Sequence, residues 1–273
     1  MLLFHHDLVV APLGSGSRGN CTYVGDGRHG VLIDCGLSTK QIFARLDEMG
    51  LRGVPIDAVL ITHEHSDHVG AAGVLDRRLE TDRLTPFFLT EGTRSRLPAK
   101  LTPRSTRTVV AGQTFAIGGI LVEPVAIPHD TPEPVAYALD FGGTRVAIVT
   151  DLGKPTRPVE RLVAESDVAI LEFNHDPDML WDGPYPWALK QRIAGDRGHL
   201  SNAQGAELLQ RACGHRLKTV VLAHLSQENN RPELAYRAAE AAIHTAGARV
   251  VLHVAEQDRP LALRPNPPVA AAG

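Results

Sequence analysis

Short β-branched runs, each closed by a polar or glycine-bearing turn, recur at residues 8–13, 21–24, 30–33, 58–61, 120–127, 135–139, 145–149 and 168–171. Apolar runs of this length bounded by turn residues predict strands. Apolar positions at helical spacing predict helices over 39–49, 69–79, 158–164, 202–212 and 232–246, with Ser201 as N-cap of the fourth. Strands dominate the first half, and the second alternates strand and helix through 168–171, 202–212, 219–223, 232–246 and 249–253. This order predicts an α+β architecture of sheets packed between helices. Residues 174–200 break the alternation with three prolines and two tryptophans, and a long irregular stretch of this kind is expected to be a lid or binding loop.

Composition narrows the class. With 273 residues, 43% hydrophobic and 22% charged, the chain has the make-up of a globular protein with a large core. No repeat or linker divides it, so one domain over 1–258 is expected, followed by a proline-rich, small-residue tail over 259–273 expected to be disordered. A net charge of -3 gives no global attraction to nucleic acid, so any such contact must be local. Cys21, Cys35 and Cys213 form no C-x-x-C pair, which argues against a disulfide framework or a thiolate metal site and fits a reducing compartment. Residues 1–12 lack the basic and apolar regions of a signal peptide, and no apolar run approaches the roughly 20 residues of a membrane helix. A cytoplasmic protein without membrane contact is therefore expected, with Leu2, Leu3 and Phe4 packing in the first strand.

Candidate chemistry starts where one apolar strand stops. Ala58-Val59-Leu60-Ile61 runs into Thr62-His63-Glu64-His65-Ser66-Asp67-His68, putting His63, His65, Asp67 and His68 within six residues at a strand-to-helix junction. The pattern repeats: residues 122–128 lead to His129, 145–150 to Asp151 and 219–223 to His224. Side chains at strand ends are held rigidly, and several on one edge can converge on a metal ion. Imidazole and carboxylate ligands without thiolate suit Zn²⁺ or Mn²⁺.

These motifs resemble the metallo-β-lactamase superfamily over nearly the whole chain. The resemblance implies an αββα sandwich, two mixed β-sheets flanked by helices. It implies His63, His65 and His129 on one metal, Asp67, His68 and His224 on a second, Asp151 bridging them, and Asp34 supporting the ligands from behind. His199 competes with His224 for the last position, and His224 is preferred because it ends an apolar strand. A bridging carboxylate favours two divalent ions about 3.5–4 Å apart, which clamp the attacking and leaving oxygens of a phosphodiester. Such ions lower the pKa of bound water toward about 7, so hydroxide can attack without a covalent nucleophile.

Within the superfamily, five stretches are similar to the YycJ/WalJ family of exonucleases. They are Leu13-Gly14-Ser15-Gly16-Ser17-Arg18-Gly19-Asn20, Asn174-His175-Asp176, Gly183-Pro184-Tyr185-Pro186-Trp187 through Lys190-Gln191-Arg192, Gly198-His199-Leu200-Ser201-Asn202 and His224-Leu225-Ser226-Gln227-Glu228-Asn229-Asn230. Arg18 departs from that family, where a small residue is expected. The likeness implies 5′-to-3′ degradation of DNA in preference to RNA, with Mn²⁺, and substrate contacts at Ser15, Ser17, Asn20, Asn174, Trp187, Lys190 and Ser201. Asp67 is expected in the catalytic machinery as well as on a metal. Similarity to ribonuclease Z-like members implies that Glu172 orients His199 as phosphate ligand or general acid, next to a helix N-terminus that favours anions. Trp181, Tyr185, Trp187, Lys190, Arg192 and Arg197 suit base stacking and phosphate neutralisation, against which Asp176, Asp178, Asp182 and Asp196 weigh. The same ligands would also serve a small-molecule phosphodiesterase, a glyoxalase II-like thioester hydrolase or a non-enzymatic metal-binding sensor. The 73 positions from Asp151 to His224 leave no room for an inserted β-CASP domain. A homodimer is expected by analogy alone.

Overall fold

Every residue of β1 (Val9–Gly14), β2 (Cys21–Gly25), β3 (Gly30–Ile33) and β4 (Ala58–Leu60) is buried. Strands of this kind must be covered on both faces. With β5 (Phe87–Leu89) and β6 (Thr106–Thr108) they form a six-stranded sheet in the order β1-β2-β3-β4-β5-β6, antiparallel as far as β3 and parallel beyond it. A second sheet contains β7 (Phe115–Ile117), β8 (Ile120–Ala126), β9 (Val135–Asp140), β10 (Arg145–Val149), β11 (Val168–Glu172), β12 (Thr219–Ala223) and β13 (Val251–Val254). Its order is β13-β12-β11-β10-β9-β8-β7, parallel from β13 to β10 and antiparallel from there. The structure is a computed structural model that describes residues 8–79 and 84–265. Leu2, Leu3 and Phe4 and the tail from 266 to 273 lie outside the described residues.

The helices are α1 (Thr39–Glu48), α2 (Ser66–Val69), α3 (Ala72–Arg78), α4 (Glu91–Arg96), α5 (Arg157–Ala164), α6 (Pro177–Asp182), α7 (Trp187–Ala194), α8 (Asn202–Ala212) and α9 (Pro232–Thr245). The two sheets pack face to face through Val24, Ile33, Leu60, Tyr137, Ile148 and Val221. Ile42, Leu46 and Leu75 of α1 and α3 cover the other face of the first sheet against Val59 and Phe87. Leu162, Leu208, Leu209 and Ala239 of α5, α8 and α9 cover the second against Val149 and Leu222. The result is the expected αββα sandwich. No helix among the described residues is long and apolar enough to cross a membrane.

Three differences from the sequence pattern have physical causes. The helix expected over 69–79 is two helices, because Ala71 N–H donates to the Cys35 carbonyl (2.9 Å) and stitches the α2–α3 junction to the end of β3. The lid segment 174–200 is not irregular: Asp176 caps α6 by accepting from Met179 N–H (3.0 Å), and α7 follows it. The expected tail is ordered at its start. Leu263 exchanges hydrogen bonds with Val10 (3.0 and 2.9 Å), Leu261 N–H donates to Pro12 O (3.0 Å), and Leu263 is buried, so this segment extends the first sheet beyond β1.

One edge of the sandwich collects the polar strand ends. Asp34 follows β3, His63 to His68 follow β4, His129 follows β8, Asp151 follows β10, Glu172 ends β11 and His224 follows β12.

Candidate metal centre

Asp34, Asp151 and His224 are the non-glycine residues with positive φ among the described residues, at 60°, 59° and 55°. A left-handed conformation costs a side-chain-bearing residue on the order of 1–3 kcal/mol, and it persists where surrounding contacts impose it. Here those contacts are visible. Asp34 N–H donates to Leu60 O (2.8 Å), His224 N–H donates to Ser15 Oγ (2.8 Å), and Asn174 Nδ2 donates to His224 O (2.8 Å).

Two clusters of ligand atoms result. In the first, His65 Nδ1 lies 3.1 Å from His63 Nε2 and 3.3 Å from His129 Nε2. In the second, Asp67 Oδ2 lies 3.4 Å from His68 Nε2 and 3.6 Å from His224 Nε2. Asp151 stands between them, with Oδ1 3.8 Å from His129 Nε2 and Oδ2 3.0 Å from His68 Nε2. Ligands about 2.0–2.1 Å from a tetrahedral ion lie roughly 3.3–3.4 Å from one another, close to the spacings seen here.

The partners on the far side of each ring decide which nitrogen faces inward. Asp34 Oδ2 accepts from His68 Nδ1 (2.7 Å), Glu172 Oε1 from His224 Nδ1 (2.8 Å), and Gly198 O from His129 Nδ1 (3.1 Å). A ring nitrogen that donates outward leaves the other nitrogen's lone pair for a metal. Asp34 is itself oriented by Thr62, whose N–H donates to Oδ1 and hydroxyl to Oδ2 (both 2.9 Å). Buried Asp151 Oδ2 meets His68 Nε2 at 3.0 Å, whereas buried His224 Nε2 stops 3.6 Å from Asp67 Oδ2, beyond hydrogen-bond distance. Imidazole and carboxylate atoms converging at about 3–3.6 Å are the arrangement a cation relieves, so the residues present fit divalent metal.

Protonation follows position. Burial lowers His63, His65 and His129 below the usual histidine range, which leaves the first cluster as neutral imidazoles. Burial also opposes charge on His68 and His224, but the carboxylates around them win. Asp151 and Asp34 hold His68 well above its ordinary value, and Asp151, Asp67 and Glu172 push His224 up to about 10. Glu172 falls to about 2 despite its burial, because His199 and His224 both face it. The second cluster thus carries protons that a divalent cation would displace.

Above the clusters lies a pocket of about 370 Å³, lined on one side by His65, Asp67, His129, Asp151, His199 and His224 and on the other by Tyr185, Leu189, Arg192 and Ile193. A β-lactamase superfamily domain matches residues 29–225, the span that carries every one of these strand ends. The chain belongs to the β-lactamase superfamily. Exodeoxyribonuclease WalJ of Streptococcus pneumoniae is 38% identical over 229 residues, 82% of this chain and 84% of that protein. Exodeoxyribonuclease YycJ of Bacillus anthracis is 34% identical over 226 residues, with the same coverage. The metallo-β-lactamase fold protein YhfI from Bacillus subtilis superposes with a TM-score of 0.71 over 93% of this chain and 99% of its own, at 16% identity, which bears on the fold. The chain is a hydrolase of this superfamily.

All seven expected ligand positions of this superfamily member come together on the one edge, with Asp34 behind them. Glu172 also lies where expected, its Oε1 2.9 Å from His199 Nδ1, but the same oxygen serves His224, which the sequence pattern did not indicate. The expected substrate contacts divide. Ser17 lines the pocket, and Trp187 is exposed at the start of α7. Asn20 reaches the second cluster instead, with Nδ2 3.1 Å from His68 Nε2 and 3.4 Å from Asp67 Oδ2. Ser15 and Asn174 hold the His224 backbone, and Ser201 caps α8 by accepting from Gln204 N–H (3.2 Å). Lys190 is buried, with Nζ donating to Trp181 O (2.6 Å), so its ammonium faces the lid and not the pocket. These five side chains are thus engaged within the fold. Asp130, which sequence reasoning passed over, joins Arg192 (2.5 Å) to the first cluster, its Oδ1 3.3 Å from His129 Nε2. Its position directly after His129 was the available signal.

Proposed function

We propose that the chain is a dinuclear metal-dependent phosphodiesterase that shortens DNA as an exonuclease, in the 5′-to-3′ direction. Similarity to two exodeoxyribonucleases over most of the chain supports the nuclease role. The observation that carries the dinuclear reading is buried Asp151, whose carboxylate lies within 3.8 Å of His129 in the first cluster and 3.0 Å of His68 in the second. In this reading His63, His65 and His129 would hold one ion and Asp67, His68 and His224 the other, with Asp151 available to both. Zn²⁺ and Mn²⁺ both suit this donor set. When bound, such ions supply Lewis acidity toward a phosphoryl oxygen and acidity to water.

The protein's own groups do the rest. Asp67 and Asp151 concentrate negative charge at the clusters, while Arg192, held by Asp130, stands at the pocket wall as the cation a phosphate would meet. Glu172 accepts from His199 Nδ1, which leaves Nε2 of a pocket-lining imidazole to meet the scissile group. A histidine so placed can give a proton to the departing oxygen, an effect worth about 10²–10⁴ in rate. Leu189 and Ile193 add apolar surface to the pocket wall.

The test uses matched single- and double-stranded DNA and RNA oligonucleotides, labelled at either end, with Mn²⁺-loaded and Zn²⁺-loaded protein beside His68→Ala. Laddered loss from the 5′ end of DNA, absent in the variant, is the expected result. No metal-dependent cleavage of any oligonucleotide, by protein shown to hold two metals, would overturn the reading and move it to a small phosphodiester or thioester substrate.

A further inference from the structure

The chain has two tryptophans, and the fold puts both outside its cores. Trp181 in α6 is 40% exposed and Trp187 in α7 is 64% exposed, although the cores enclose Tyr23, Tyr137, Phe87 and Phe173 almost completely. The two indoles lie together, with ring centroids 5.2 Å apart and planes inclined at 42°. The hairpin that carries them is fastened to the body. Asp176 N–H donates to Asn229 O (2.8 Å), and buried Lys190 donates to the Trp181 carbonyl (2.6 Å). A Cβ at Gly183 would come within 2.5 Å of Met179 O and 2.8 Å of Asn229 Oδ1, so the turn between the helices admits glycine alone. Large aromatic faces held rigidly in solvent are the usual anchors of a binding surface, since little entropy is lost when a partner covers them.

Continuity with the pocket indicates the partner. Helix α7 begins at Trp187, and Leu189, Arg192 and Ile193 further along it form the pocket wall. At 1.5 Å rise and about 100° per residue, Arg192 lies roughly 7.5 Å along the axis from Trp187 and about 140° around it, joined to it across the exposed helix face that carries Ala188 and Gln191. A pocket of about 370 Å³ holds only the end of a polymer, and the exposed face of this helix is a route that leads the remainder to the indoles. Asp178 and Asp182 are exposed near the rings and repel a phosphate backbone laid against the hairpin. A strand can still meet the indoles through the uncharged faces of its bases, with its backbone on the Arg192 side.

We propose that the α6–α7 hairpin is a stacking platform for unpaired bases of the strand whose end occupies the pocket. The proposal rests on the nuclease reading above and deepens it, since a base inside a duplex has no free face and the platform selects single-stranded ends.

Because Trp181 and Trp187 are the only tryptophans, intrinsic fluorescence reports on this surface without a label. Mn²⁺-loaded protein would be titrated with a phosphorothioate-linked thymidine octamer, a blunt duplex of the same length and thymidine monophosphate. Saturable quenching by the octamer, weak or absent with the other two, is expected. In steady-state cleavage, Trp187→Ala should raise KM for a single-stranded octamer about fivefold or more and leave kcat on a dinucleotide unchanged, with Trp187→Phe recovering most of the loss. Normal laddering with no quenching, or with KM unmoved in Trp187→Ala, would overturn the platform and leave the nuclease reading intact. Quenching by the octamer without cleavage of any oligonucleotide would uphold the platform and overturn the nuclease reading. A tryptophan signal that changes with protein concentration alone and is indifferent to DNA would show a self-association face and overturn the proposal.

Discussion

Glu172 shows how much a single buried side chain can organise. Its Oε1 accepts from His199 and His224 at 2.9 and 2.8 Å, and its Oε2 accepts from the N–H groups of Leu152 and Leu200 at 2.8 and 3.2 Å. Four donors meet two acceptor oxygens, a match that a carboxylate alone provides. Glutamine has nearly the same shape but must turn its NH₂ either toward the two backbone N–H groups or toward the two imidazoles. The first choice leaves buried donors facing donors, and the second reverses the ring nitrogens that would face a metal. Glu172→Gln should therefore lower metal affinity about 10- to 100-fold, the usual effect of losing a partner behind a ligand. Isothermal titration with Zn²⁺ or Mn²⁺ measures this, and unchanged affinity would show that His224 needs no orienting carboxylate. His199→Ala separates the two histidines that share Glu172. Metal content should hold while turnover falls about 10²- to 10⁴-fold, and equal loss of metal would make His199 a ligand and not a proton donor.

Among the elements, α8 owes its start to a capping box: Ser201 Oγ accepts from Gln204 N–H (3.2 Å), and Gln204 Oε1 accepts from Ser201 N–H (2.9 Å). Removing such a cap costs about 1 kcal/mol. Ser201→Ala should thus lower the melting temperature by a few degrees and leave KM for DNA unchanged, and a raised KM without loss of stability would restore Ser201 as a substrate contact. The sequence read this helix well because Leu208, Leu209 and Ala212 form a buried stripe behind a recognisable cap. It read the long buried strands for the same reason, since Val146 to Val149 and Val220 to Ala223 are apolar throughout. The short strands at Phe87–Leu89, Thr106–Thr108 and Phe115–Ile117 carry too few residues to show a period, and pairing with neighbours defines them. Helices α6 and α7 were hidden differently. One buries Leu180 and the other Lys190, so neither has an apolar stripe to reveal it. The candidate ligands were visible as residue types at the ends of apolar runs. The double duty of Glu172, the reach of Asn20 to His68 and the Asp130–Arg192 pair were not, because each joins segments far apart in the chain.

At the scale of the molecule, the candidate centre is a seam. Asp34 and the segment from His63 to His68 come from the first sheet, whereas His129, Asp151, Glu172 and His224 come from the second. The apolar layer between the sheets holds them together without help from this edge, since Val24, Ile33, Tyr137, Ile148 and Val221 are almost fully enclosed. The edge itself gathers buried His68, His224, Asp151 and Glu172 beside half-buried Asp67, with His224 Nε2 lacking a hydrogen-bond partner among the described residues. Metal that binds this folded arrangement and not the unfolded chain stabilises it by about 2.7 kcal/mol at 100 times Kd. For a domain of this size that corresponds to roughly 5–10 °C in melting temperature. Calorimetry of protein stripped with chelator and then titrated with Zn²⁺ or Mn²⁺ should show a cooperative transition throughout, because the sandwich core persists, and a midpoint that climbs with metal concentration. His68→Ala removes one candidate ligand of the second cluster, 3.0 Å from Asp151, so most of that climb should disappear in the variant. A midpoint that ignores saturating metal in the unaltered protein would mean that the seam is closed by hydrogen bonds alone, and the dinuclear reading would fall with it.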